Sequence, residues 1–160
     1  MDAGTARSVK ALLSGGPIKD VLVVDPFLEL QQAVRNILGS VATVHGCSTF
    51  EDARRRLTSS PPDLLVTGVR LYAHNGLNLV HLSARDPRTR SIVHLTAEDF
   101  ALTRDAESAG ALVVREPWLV VALESIVLAT LRRGDRRDPV ATDRSLGDVA
   151  PLRRKTAAGS

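Results

Sequence analysis

The chain reads as an α/β protein built on a doubly wound, five-stranded parallel sheet, and two features of the sequence carry that reading. Short runs of Val, Leu and Ile recur along it, each too short for a helix and each closed by turn formers. Between them lie stretches with apolar side chains on one helical face, about 10 to 14 residues long, and the alternation repeats five times. Strands that alternate with helices pair in parallel and are covered on both faces, so they read as continuous apolar runs.

In chain order, residues 1–17 form an N-terminal extension with one apolar patch, Val9 to Leu13, closed by the linker Ser14-Gly15-Gly16-Pro17. Val21 to Val24 is the first buried strand and ends on Asp25. Pro26 suits the first turn of a helix whose apolar face carries Leu28, Leu30, Ala33, Val34, Ile37 and Leu38, up to Gly39. Val41 to Val44 predicts a second strand closed by His45-Gly46. Ser48 and Thr49 are candidate caps for a helix through Ala53 and Leu57, with Glu51 and Asp52 in its first turn, where the helix dipole favours acids.

Pro61-Pro62 opens the central strand, Leu64 to Thr67, which delivers Gly68 to the carboxyl edge of the sheet before the turn at Asn75-Gly76. A helix over Leu77 to Leu82 stops before Pro87, and Ser91 to Leu95 is the fourth strand, ending on Thr96-Ala97. A fourth helix, Phe100 to Ala109, is terminated by Gly110. Ala111 to Val114 is the fifth strand, and Pro117 leads into a last helix, Leu119 to Arg132. The domain therefore spans 18–133, and the sequence holds no internal repeat.

Composition narrows the function classes. At 160 residues, 44% hydrophobic and 24% charged, the chain suits one soluble globular domain with tails. Aromatics make up 3%, so the core is built from aliphatic side chains. A single cysteine, Cys47, excludes an internal disulfide and suits a reducing cytoplasm. No apolar run approaches the ~20 residues of a membrane span. The first residues lack the sustained apolar stretch of a secretory signal. The net charge of +3 is uneven: from Arg132 onward eight Arg or Lys oppose four Asp, so the rest is close to neutral. Residues 134–160 are rich in Gly, Pro, Asp and Arg without apolar periodicity, the composition of a basic disordered tail.

The segments VLVVDP (21–26), PPDLLVTGVRLYAHNG (61–76), IVHLTA (92–97) and AGALVVREPW (109–118), taken with their spacing, resemble a response regulator receiver (CheY-like) domain. The resemblance covers about Lys19 to Arg132 and implies a flavodoxin-like (βα)5 fold with strand order 2-1-3-4-5. It also implies a chemistry, phosphoryl transfer to an aspartate at the end of the third strand. That reaction needs a carboxylate nucleophile, a Mg²⁺ held by it and an acidic pair after the first strand, and a hydroxyl and a lysine for the phosphoryl oxygens.

This sequence departs from the pattern at nearly every charged position. The phosphoacceptor position is Gly68, and the acidic pair is reduced to Asp25 beside Pro26. Thr96 retains the hydroxyl, Glu116 replaces the lysine before Pro117, and the switch aromatic of the fifth strand falls at Val113. Neighbouring Thr67 points to the other face, and Asp63 lies at the opposite end of the strand, so neither replaces the acceptor. Catalytic residues are expected to be none, leaving a remnant pocket of Asp25, Pro26, Gly68, Thr96 and Glu116. Two carboxylates in that pocket call for a counter-charge, with Arg70 and Arg115 as candidates.

The four histidines share no metal-ligand spacing, and His94, inside an apolar strand, reads as a hydrogen-bonded core or rim residue. Cys47 reads as a small packing residue. LVVALESIVLATL (119–131) is apolar almost all round, more than packing on one sheet face requires. It predicts an interaction face of Val113, Trp118, Leu119, Leu123, Ile126 and Val127 for a protein partner or a homodimer, unless the N-terminal segment or the tail covers it. The expectation is a phosphorylation-independent pseudo-receiver, non-catalytic and without cofactor or metal. The alternatives are a receiver-like switch that still binds phosphate or a divalent metal, and a nucleic-acid-associated regulator using the tail.

Overall fold

The computed structural model describes residues 20–40, 42–123, 125–127 and 130. The expectations for the N-terminal extension (1–17), the tail (134–160) and both domain boundaries lie outside the described residues. β1 (Asp20–Val24) is followed by α1 (Leu28–Leu38), β2 (Thr43–Cys47), α2 (Phe50–Ser59) and β3 (Leu64–Gly68). α3 (Leu77–Ser83), β4 (Arg90–Leu95), α4 (Phe100–Ser108), β5 (Leu112–Arg115) and α5 (Glu116–Val121) complete the order. Between β3 and α3, Arg70–Leu71 and His74–Asn75 pair as a small antiparallel ladder, turned by Tyr72 at φ 54°. The main sheet has five parallel strands in the order β2-β1-β3-β4-β5, as the sequence predicts.

Strand alternation divides the core into two layers. Val21, Val23, Leu64, Val66 and Ile92 face α1 and α5, packing on Leu30, Val34, Leu38, Leu119, Leu123 and Val127. Leu22, Val24 and Leu65 face the other way, onto Ala53 and Leu57 of α2 and Leu79 of α3. Val93 and Leu95 share that second side with Val80 and Ala106. Each fully buried aliphatic side chain contributes about 1.5–3 kcal/mol by leaving water, and the central strand β3 has all five of its residues buried.

Local chemistry sets the element ends. The Thr49 hydroxyl accepts from Asp52 N–H at 3.2 Å, and Asp99 Oδ1 accepts from Ala101 and Leu102 N–H at 3.0 Å each, capping α2 and α4. Gly110, at φ 88°, turns the chain out of α4 in the left-handed conformation that glycine adopts without strain.

Three expectations need correction. β2 continues through His45 and Gly46 to Cys47, because each residue from Thr43 to Cys47 finds a register partner on β1, and pairing overrides the local turn signal. Leu28, expected on the apolar face of α1, is 63% exposed, and Gln31 is buried there instead. The last helix begins earlier, at Glu116, and Ala122 leaves helical geometry (φ −115°, ψ 16°) before Leu123 and Ser125 to Val127 resume it.

The expected interaction face is also redistributed. Leu119 of α5 and, beyond the break at Ala122, Leu123 and Val127 are all buried in the layer against the sheet and α1, and Ile126 is partly buried against them. Val113 packs partly buried on the opposite layer. What remains outside on α5 is Trp118 (62% exposed), Val120 (46%) and Val121 (78%).

The two faces of α5 should respond differently to truncation. Leu119→Ala is expected to cost about 2–5 kcal/mol in urea unfolding, whereas Val121→Ala should stay within about 0.5 kcal/mol. Comparable losses at both positions would contradict this packing.

Candidate functional site

The carboxyl ends of the parallel strands bring Asp25, Gly68, His94, Thr96 and Glu116 to one edge of the sheet, the edge where open α/β sheets bind ligands. The alternation that sends Val21 and Val23 towards α1 and α5 sends Asp25 the same way. Gly68 follows Leu64 and Val66, and His94 follows Ile92. Gly68 and His94 are register partners on neighbouring strands.

Asp25 is held from several directions. Its backbone N–H donates to the Cys47 carbonyl at 3.1 Å, and its carboxylate Oδ1 accepts from Phe27 N–H at 2.8 Å. The buried Gln31 side chain donates to the Asp25 carbonyl at 3.0 Å and to the Ser48 hydroxyl at 3.2 Å, tying α1 to the end of β1 and to the loop after β2. The other carboxylate oxygen, Oδ2, lies 2.9 Å from His94 Nε2. Both side chains are deeply buried, at 6% and 5% exposure. The contact is off the line of an N–H hydrogen bond, and neither ring nitrogen has a hydrogen-bond partner among the described residues.

His94 makes this contact by crossing a strand. β1 and β4 flank β3, so the ring reaches from β4 over Gly68 to the end of β1. A Cβ placed on Gly68 would stand 3.0 Å from both Cε1 and Nε2 of His94 and 3.5 Å from Asp25 Oδ2. An alanine at 68 would therefore press on the ring, which would have to give by a few tenths of an ångström. Sequence reasoning read His94 as a hydrogen-bonded core or rim residue; it is buried, its ring nitrogens lack hydrogen-bond partners among the described residues, and the contact with Asp25 was missed. The signal that could have found it is parity, because Asp25, Gly68 and His94 all continue strand faces that turn towards α1 and α5.

The remaining site residues sit at the rim. Thr96 and Glu116 are exposed, Pro26 is half-buried, and a cavity of about 370 Å³ opens between them, floored by Gly68 and His94. Neither expected arginine pairs with Asp25: His94 faces it, while Arg115 pairs with Glu98 across the rim. Arg70 lines the cavity. Thr67 is fully buried, and its hydroxyl donates to the Gly68 carbonyl at 3.1 Å. Asp63 sits at the far end of β3, where its carboxylate accepts from Asp20 N–H at 3.0 Å.

A divalent cation of the kind the resemblance implies needs several convergent oxygen ligands. Among the described residues no group of three or more His, Cys, Asp or Glu side chains could hold a metal, and Asp25 is already engaged by Phe27 and His94, so the residues do not fit it.

Comparison with known proteins places the fold. No protein-family profile matches the chain, and no curated protein does. Among solved structures, it is similar to a response regulator receiver domain protein (CheY-like) from Methanospirillum hungatei, at 16% identity and a TM-score of 0.67, covering 74% of this chain and 98% of that one. A signal receiver domain from Vibrio parahaemolyticus matches at 20% identity and 0.66, over 78% of this chain and 98% of that one. The response regulator domain of Thermotoga maritima CheB matches at 23% and 0.62, over 76% and 99%. The architecture is thus the CheY-like, flavodoxin-like receiver fold.

Cys47, at the end of β2, should prove a poor nucleophile. Burial pushes its thiol above the ordinary cysteine range, the Asp52 carboxylate adds to the rise, and Arg56 only partly opposes it. Less thiolate is then present at any given pH. Alkylation by iodoacetamide at pH 8 is expected to run slower than for free cysteine, with its onset at higher pH. A faster reaction would contradict the assignment.

Proposed function

We propose that the chain is a phosphorylation-independent pseudo-receiver, a non-catalytic module of signal transduction that works by docking a protein partner or a second copy of itself. The observation that carries this reading is Gly68: the end of the central strand offers no nucleophile, and the ring of His94 lies over it. Three further features support it. Asp25, the remaining carboxylate of the remnant pair, is engaged by Phe27 N–H and His94. Glu116 brings negative charge where a phosphoryl group would need positive. Trp118 and Val121, three residues apart on α5, leave apolar surface in solvent.

Docking through α5 is then confined to its outward side, Trp118, Val120 and Val121. An exposed aromatic side chain that becomes buried on docking can contribute a large share of interface energy. The described helices include none long and apolar enough to cross a membrane, which fits a module that meets its partner in solution.

Amide NMR of the whole chain tests the reading. Titration with Mg²⁺ and then with beryllofluoride, a phosphoryl mimic, is expected to leave Asp25, Gly68, Thr96 and Glu116 unmoved. Saturable shifts clustered on those four would overturn phosphorylation independence and restore the alternative of a ligand-binding switch.

A further inference from the structure

We propose that Gly68, His94 and Asp25 form one interlocked unit, in which the His94 imidazole is a built-in ligand standing in the space of the missing acceptor side chain. The inference deepens the pseudo-receiver reading, from which it takes the identity of that space.

The argument is geometric. Neighbouring strands lie about 4.8 Å apart, so β1 and β4 are separated by roughly twice that across β3. A histidine on β4 and an aspartate on β1 can meet only by reaching over the intervening strand, and they do so at 2.9 Å. A side chain at 68 would crowd that path, since its Cβ alone would stand 3.0 Å from two ring atoms and larger groups would reach further into the ring's space. The small residue at 68 and the His94 ring above it are therefore coupled through the space they share.

Burial gives the second line of support. A ring at 5% exposure with no in-line hydrogen bond is held by shape and by the carboxylate beside it. Cutting it back to alanine would leave an imidazole-sized space with Asp25 at one wall and the existing cavity as its entrance. Such a space is a latent site for small nitrogen heterocycles, with free imidazole as the matched probe.

The test is a double-mutant cycle on the full chain, read by urea unfolding. Gly68→Ala is expected to lower the unfolding midpoint in the natural background and to lower it much less, or not at all, beside His94→Ala. Millimolar imidazole is expected to raise the midpoint of His94→Ala and leave that of the natural chain unchanged. Equal losses from Gly68→Ala in both backgrounds, or no imidazole effect on His94→Ala, would overturn the interlock. Should His94→Ala fail to fold, the ring Cε1–H resonance of His94 in Gly68→Ala decides instead: displacement supports the proposal and an unmoved resonance overturns it. The outcomes separate from those of the preceding titration. A response to beryllofluoride would defeat the pseudo-receiver reading and leave the interlock standing, whereas an additive cycle would do the reverse.

Discussion

The contact between Asp25 and His94 links the ends of β1 and β4 across the upper edge of the sheet. A carboxylate at 6% exposure has lost most of its hydration, and leaving it without partners would cost several kcal/mol. Phe27 N–H meets one oxygen and His94 the other, and both arrangements depend on backbone already fixed by the sheet. Phe27 is placed by the turn into α1, whose Gln31 reaches back to the Asp25 carbonyl. His94 is placed by its pairing with Gly68 and Val114. The polar edge is thus assembled from elements whose positions are set by the apolar layers beneath.

Those layers explain why the fold was legible in the sequence. The apolar runs at Val21, Leu64 and Ile92 are strands because their residues can be buried only between two helical layers, and that pattern is local enough to read directly. The central strand and the caps at Thr49 and Gly110 fell where turn and cap chemistry placed them. β2 did not, because its carboxyl half is held by pairing with β1 and carries His45 and Gly46, which read as a turn in isolation. The same limit applies to α5, where an all-round apolar sequence concealed which stripe the sheet would take. Leu119, Leu123 and Val127 all went to the core, although the helix breaks at Ala122 between the first two.

The site was legible by position and not by contact. Strand ends identified Asp25, Gly68, Thr96 and Glu116 as neighbours, because each follows a strand of known direction. The counter-charge on Asp25 could not be read in that way. Arginines adjacent in sequence to the strand ends were the natural candidates, yet an imidazole two strands away provides the contact, and Arg115 turns to Glu98 instead. A glycine is silent about why it is a glycine until the neighbouring strands are laid beside it. Only then does its missing Cβ become the opening through which His94 passes.

That opening bears on what kind of module the fold can be. A receiver-like switch needs a ligand that arrives and departs, because an equilibrium between two conformations shifts only with a ligand that favours one of them. A side chain of the same chain does not depart. On the interlock proposed above, the imidazole belongs to the chain itself and stays at a fixed and high effective concentration at that edge. On the proposed pseudo-receiver reading, regulation would enter through something that varies, such as what occupies the outward side of α5. The exposed Trp118 and Val121 lie on the helix that continues directly from β5, the strand paired with His94's own. On that reading, a partner seated there would need no ligand-driven shift at the pocket edge in order to bind.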